Sequence, residues 1–403
     1  MHPCVHAQAT PDKPAFVMAA SGEATTYREL DDRSNQGAQL FRALGLQAGD
    51  AVAMMLENTG LYFEALWAAQ RAGLRYTAVS SRLTPGEVAY IVQDSGAKAM
   101  VIASTLADVA LPLAPLIPDV KLLMTGEAAG PYQAFEAARA RYPAEPIADE
   151  TAGGSMLYSS GTTGRPKGVK HPLPLTPLTA PDARIERLTS VYGFGEDSVY
   201  LCPAPLYHAA PLGWSMSVQR LGGVVILMEK FDAEQALALI ERHRVTHVQF
   251  VPTHFVRMLK LPEAVRRRYD HSSLRSVVHA AAPCPVPVKE KMIDWWGPIV
   301  SEYYAGTEGN GMTIVHAAEW LAHKGTVGRA VPGVEVKICD EDGEPLPPRR
   351  EGAIYFAGGA PFESTTPRRS SPTPPIGTAG PASATSAGWT RRATSTSPTA
   401  RAS

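Results

Sequence analysis

Gly154-Ser155-Met156-Leu157-Tyr158-Ser159-Ser160-Gly161-Thr162-Thr163-Gly164-Arg165-Pro166-Lys167-Gly168-Val169-Lys170 decides how this chain reads. The first five residues have the pattern of a short strand. The residues after Tyr158 pack hydroxyls, glycines and two lysines into one short loop. Glycine lets backbone N–H groups turn toward an anion at close range. Ser and Thr hydroxyls add donors, and a lysine places a point charge on a phosphate oxygen. A strand feeding such a loop is a usual setting for triphosphate recognition. The loop is not of the Walker A type, in which Gly-Lys-Ser/Thr opens a helix. Here Lys167 lies between Pro166 and Gly168, and Val169-Lys170-His171-Pro172 does not begin a helix.

On either side of this loop, strand and helix patterns alternate. The spacing predicts a helix from Tyr27 to Leu44, with Thr26 as N-cap and Gly45 as stop, and a buried strand over Ala51–Leu56. A second helix is expected over Tyr62–Ala72. Thr84-Pro85-Gly86-Glu87 is a capping box that opens a third helix through Val92, and Lys98–Ile102 is a further strand. Beyond the loop, Ser198–Cys202, Val224–Met228 and Val245–Val251 read as strands, and Ala233–His243 as a helix. Strands separated by helices of this length imply parallel sheets covered on both faces. From Gly325 the pattern changes to short strands, Val334–Ile338 and Gly352–Phe356, around an Asp342-Gly343 turn. The expected fold class is α/β: layered parallel or mixed sheets flanked by helices, plus a small β subdomain. The expected divisions are 1–324, 325–363 and 364–403.

The 403 residues are 45% hydrophobic and 19% charged, with net charge −1. That composition suits large packed cores and leaves no global footprint for nucleic acid. The four cysteines (Cys4, Cys202, Cys284, Cys339) show neither CxxC nor zinc-ligand spacing, as expected in a reducing cytoplasm. No signal peptide and no transmembrane stretch of about 20 apolar residues is recognisable.

The order (S/T)SGTTGxPKG resembles the phosphate loop of adenylate-forming, AMP-binding enzymes: acyl- and aryl-CoA synthetases, luciferases and peptide-synthetase adenylation domains. The resemblance runs from about Tyr27 to Glu363. It implies that Ser159, Ser160, Gly161, Thr162, Thr163, Gly164 and Lys167 grip the phosphates of ATP. Glu302-Tyr303-Tyr304-Ala305-Gly306-Thr307-Glu308 resembles the family's YGxTE segment, with Ala305 where Gly is frequent. By that likeness Tyr304 and Gly306 border the adenine, Thr307 donates to the α-phosphate, and Glu308 holds Mg²⁺, which prefers hard oxygen ligands. His279-Ala280-Ala281-Ala282-Pro283 resembles the small-residue turn at the adenine edge, which implicates Ala281, Ala282 and Pro283. His208, after Tyr207, resembles the position beside the substrate carboxylate. His171, His247 and His254 carry no such expectation, while Phe255, Val251 and Gly306 are candidates to border an acyl pocket. Thr326-Val327-Gly328-Arg329-Ala330-Val331-Pro332-Gly333 matches a family turn of structural kind. The implied activity is acyl-CoA synthesis from a fatty or aromatic carboxylic acid, ATP and coenzyme A. Lys167, Thr163, His208, Thr307 and Glu308 would be the catalytic set. The alternatives are an inactive nucleotide- or acyl-binding fragment, and another adenylate-forming ligase of luciferase or peptide-synthetase kind.

After Glu363 the composition collapses. Of residues 364–403, 30 of 40 are Ser, Thr, Pro or Ala, with five Arg, no Lys and no acid. Without them, 33 basic side chains face 39 acidic ones, a net −6. Such a segment buries too little apolar surface to offset its ordering entropy, and disorder is expected. The family carries in this place a Gly-Asp for the ribose, an Asp-Arg hinge and a mobile domain with a catalytic lysine; none is found here. Trp389 (TGG) before Thr390 (ACN) forces GAC, an Asp, in the frame offset by two bases. With free first bases, the stretch from Thr378 onward can be read as GWASVGDIGWLDEEGYLYLTDR, which contains both family signatures. The expectation is therefore a one-base frameshift near Glu363, with activity impaired by loss of the C-terminal domain.

Overall fold

A computed structural model describes residues 1–159, 166–340, 342–358, 363–365 and 383–384. Two large sheets dominate. In the first, Val300–Ala305, Ser276–His279, His247–Phe250, Val199–Cys202, Val224–Leu227 and Pro14–Met18 lie side by side, all parallel. Antiparallel strands close its edges: Met312–His316 and Arg329–Ala330 on one side, Ala24–Thr26 on the other. In the second sheet the parallel run is Gly154–Ser159, Arg75–Ala78, Ala51–Met55, Ala97–Ala103, Lys121–Thr125 and Gln133–Ala134. Lys167–Lys170 and Glu363–Ser364 extend its edge antiparallel.

The strands alternate between two cores, as a period of two requires when both faces are covered. Val52 and Met54 join a central core, while Ala51, Ala53 and Met55 face the outer helices. Tyr200 and Cys202 join the same central core, and Leu201 turns to the outer face of the first sheet. The central core therefore draws on both sheets. Helices Gly60–Arg71 and Ala209–Leu221 supply it and are buried along most of their length. Pro85–Asp94 and Ala107–Leu113 cover the outside of the second sheet. Ala233–Arg242, Pro252–Leu259 and Val286–Trp296 cover the outside of the first.

Local signals set the element ends. Tyr27–Ala43 starts from a reciprocal capping box between Thr26 and Glu29 and stops before Gly45 at φ 89°. The Thr84/Glu87 box opens Pro85–Asp94, which runs two residues beyond the expected Val92. Pro252 ends a strand and also occupies the first position of helix Pro252–Leu259, where its missing N–H costs nothing. Glu335–Cys339 and Ala353–Ala357 pair antiparallel in a small third sheet, joined by Ser383–Ala384. The Asp342-Gly343 turn closes only a single bridge, Cys339 to Pro345, within the connection between these strands. Among the described residues no helix is long and apolar enough to cross a membrane.

Candidate active site

In open parallel sheets, ligands bind outside the carboxyl ends of the strands, where successive loops diverge. The candidate residues of the first sheet all lie there. His208 follows Val199–Cys202, Ala281–Pro283 follow Ser276–His279, and Tyr304–Glu308 end Val300–Ala305 and enter the next turn. These strands, with His247–Phe250 between the first two, are consecutive neighbours in the sheet.

The glycine-rich loop is the connection of a β-hairpin. Gly154–Ser159 pairs antiparallel with Lys167–Lys170, and Ser159 stands opposite Lys167. Ser160, Gly161, Thr162, Thr163 and Gly164 lie outside the described residues. The stem is held on both sides of the loop by one helix, Pro85–Asp94. Tyr158 Oη donates to Asp94 Oδ2 at 2.6 Å, and Tyr90 Oη donates to the Pro166 carbonyl at 3.3 Å. Burial, then the bond to Asp94, pushes the Tyr158 phenol well above its ordinary range. Lys167 therefore leaves the loop at a fixed point. The far end of the same strand leads to His171, whose ring abuts Gly309 in the turn that carries Thr307 and Glu308.

Tyr304 is half-buried, and its ring stacks on Phe356 of the small sheet with centroids 6.0 Å apart. The same Phe356 fills the space where a Cβ on Gly311 would sit. Burial, then the Glu308 carboxylate, raises the Tyr304 phenol. Glu308 forms no ion pair among the described residues, and a partly exposed carboxylate without a cation partner is a fitting donor for a hard divalent ion. Ala281 takes φ 70°, a left-handed conformation that favours glycine. The residue is exposed, so its side chain meets no crowding from the core.

His208 is exposed at the N-cap of helix Ala209–Leu221, its ring 4.5 Å from that of Tyr207. Although its surface is open, desolvation by the surrounding protein, then the Arg82 charge, lowers its imidazole and favours the neutral form. The loop that presents it is fixed by Asn58 from the second sheet. Asn58 Nδ2 donates to the carbonyls of Ala204 and Met228, at 3.0 and 2.8 Å, and its Oδ1 accepts from Leu206 N–H at 2.8 Å. Sequence reasoning missed Asn58, because a polar residue between a strand and a helix looks like ordinary turn material. It also missed Tyr90, whose bond to Pro166 spans 76 residues.

His247 and His254 are core residues. His247 Nε2 lies 3.0 Å from the Tyr192 carbonyl and Nδ1 2.7 Å from Thr246 Oγ1, while His254 stacks on Phe231 at 3.9 Å. Phe255 is wholly buried in the outer core against Phe250 and Trp296, so it borders no open pocket. His2, Cys4 and Asp31 bring potential ligand atoms within 4.8 Å of one another. Each is already committed: His2 Nδ1 accepts from Cys4 N–H, Asp31 pairs with the buried Arg71, and burial pushes the Cys4 thiol up to about 11.

A family model described as "AMP-binding enzyme" matches residues 5–363. The chain belongs to the AMP-binding enzyme family. Feruloyl-CoA synthase of an Amycolatopsis species is 31% identical over 346 residues, covering 85% of this chain and 67% of that protein. 4-Coumarate–CoA ligase CCL1 of Humulus lupulus is 30% identical over 366 residues, covering 86% and 65%. The apo structure of MbtA from Mycobacterium smegmatis superposes with a TM-score of 0.75 at 26% identity, covering 88% of this chain and 66% of that one. The match spans about two thirds of the length of the curated relatives. Kinship thus places this AMP-binding enzyme among the AMP-forming acid–CoA ligases, which use ATP and coenzyme A.

Proposed function

We propose that the site activates a carboxylic acid with ATP and passes the acyl group to coenzyme A. The carboxylate oxygen attacks the α-phosphorus and pyrophosphate leaves; the thiolate of coenzyme A then attacks the acyl carbonyl and AMP leaves. The observation that carries this reading is the contact of the two phosphate-directed segments. The strand Lys167–Lys170 leads into His171, whose ring lies against Gly309 at the end of the Thr307–Gly309 turn.

The first step is slow in water because two anions repel. The site's task is to withdraw charge from the phosphates before the carboxylate arrives. Lys167 supplies an ammonium from the paired strand at the foot of the glycine-rich loop, with Ser159 opposite it and with Ser160 to Gly164 as backbone and hydroxyl donors. Thr163 and Thr307 are assigned hydroxyl bonds to phosphate oxygens. Glu308 would hold Mg²⁺, which when bound neutralises phosphate charge. Tyr304, Gly306 and Ala281–Pro283 flank the adenine, and the Phe356 ring holds the Tyr304 face in place. Neutral His208, beside the Arg82 charge, receives the substrate carboxylate. The acid is fatty or aromatic; the relatives named for feruloyl and coumaroyl substrates support the aromatic class. The four cysteines, unpaired in the structure, fit a reducing compartment such as the cytoplasm.

We also propose that residues 364–403 are the out-of-frame product of a frameshift, so that divisions 1–324 and 325–363 carry the nucleotide grip. The reading is supported by the tail's lack of Lys and acids and by a shifted frame that, with first bases left free, permits both family signatures. ATP–pyrophosphate exchange with a panel of fatty and aromatic acids tests both proposals. The chain restored to the shifted frame should exchange with at least one class, and the 403-residue polypeptide far more slowly. Equal rates would remove the frameshift reading. No exchange by either form would remove the adenylation reading.

A further inference from the structure

The turn at Ala281–Pro283 and the segment Tyr304–Thr307 leave neighbouring strands and diverge. The ladder between those strands has its last rung at His279 and Glu302. A buried ion pair sits at that rung. Lys289, in helix Val286–Trp296, is fully buried and donates from Nζ to Glu302 Oε2 at 2.5 Å. Its ammonium also stands 4.8 Å over the Trp320 ring. His279 Nε2 lies 3.5 Å from the same carboxylate oxygen, and neither ring nitrogen of His279 has a hydrogen-bond partner. Burial works against both charges, raising the Glu302 carboxyl and lowering the Lys289 ammonium, while their contact opposes both shifts. Burial and the Lys289 charge keep His279 neutral.

A well-packed apolar pair could fill this space at similar stability, so a buried ion pair is weak evidence of stabilisation. Its geometry is another matter. The helix that carries Lys289 begins at Val286, three residues after Pro283, and Glu302 lies two residues before Tyr304 on the adjacent strand. The contact therefore spans the two segments at the point where backbone pairing stops.

We propose that the Lys289–Glu302 pair is a positioning device that sets the spacing between residues 281–283 and 304–307. The inference rests on the reading of these segments as the nucleotide site. The test uses the full 403-residue chain with Lys289→Arg, Lys289→Met and the double variant Lys289→Met/Glu302→Leu, which removes both charges. Amide hydrogen exchange is followed by mass spectrometry, and AMP binding by calorimetry. In Lys289→Met and in the double variant, exchange at 280–283 and 304–307 should quicken by about tenfold or more while that of Ala51–Met55 stays unchanged. AMP affinity should fall by about tenfold even where the double variant recovers the parent melting temperature. Lys289→Arg, which keeps the pair, should retain most of the parent behaviour. A double variant that melts, exchanges and binds AMP like the parent would overturn the proposal and leave the pair as core packing. A parent chain that binds no AMP would remove the nucleotide reading, while the exchange data still decide the spacing role.

Discussion

The two halves of the site are built by different means. The sheet-edge half, 276–309, is anchored from beneath, with its strands in register to His279 and Glu302 and a buried ion pair at the last rung. The hairpin half, 154–170, lies at the edge of the second sheet and is tied to one helix by two tyrosine hydroxyls, its own Tyr158 and the helix's Tyr90. A base and an α-phosphate need a rigid seat. A loop that closes around phosphates needs fixed ends more than a fixed middle. The difference separates groups that act on charge from groups that hold geometry, and substitutions can test that division.

Lys167→Ala should have the largest effect. Removing a preorganised cation from phosphate should cost about 10²–10³-fold in kcat/KM for pyrophosphate exchange by the frame-restored protein, with little change in melting temperature. A loss shared equally with stability would mean that the hairpin stem, too, is mainly structural. Asn58→Ala should do the reverse. It leaves the Ala204 and Met228 carbonyls and the Leu206 amide without their partner, and should cost about 3 kcal/mol in a urea denaturation.

Acid should act on two buried imidazoles, His247 beside Phe194 of the central core and His254 against Phe231 of the outer one. Burial holds His247 and His254 down to about 4, whereas an unfolded imidazole titrates near 6.5. Both are neutral in the fold, and the unfolded chain takes up protons first. Their stabilisation is therefore complete above the unfolded value and is lost as the pH falls from about 6.5 toward 4, by roughly 3 kcal/mol for each. Melting temperatures measured across that interval should drop, and His254→Phe should flatten the slope. An unchanged slope would mean that burial does not hold His254 neutral in the fold.

Tyr158→Phe should cost only about 1 kcal/mol of stability, since it removes one hydroxyl bond to Asp94. If the stem sets the loop's position, the KM for ATP should rise more than kcat falls. The smallest effect belongs to Ala281→Gly. Relief of the left-handed backbone and the greater freedom of the unfolded glycine largely cancel, leaving about 0.5 kcal/mol of stabilisation in thermal melts. A destabilisation would mean that the alanine methyl group makes a contact the turn needs.

Much of the fold was legible because local signals and burial agree in it. The Thr26/Glu29 and Thr84/Glu87 boxes, the glycine stops and the apolar strands each point to the element that forms. The antiparallel strands Ala24–Thr26 and Met312–His316 carried less signal, being short or only partly buried. The site motifs were legible as motifs. What holds them was not: Asn58 acts on residues 146 and more positions away, Tyr90 on one 76 away, and Lys289 meets Glu302 across a turn and a strand boundary. A pairing of that kind leaves no periodicity in the sequence, because nothing between the partners has to repeat.

Asn58 has one more consequence. Its side chain leaves the end of the second sheet's central strand and takes up three backbone groups from two strand ends of the first. The central core is likewise shared by both sheets. Neither sheet can open alone without stranding polar groups and apolar surface that belong to the other. The two sheets should therefore behave as one cooperative unit, losing their protected amides together in a single transition, although each has the strand count of a separate domain.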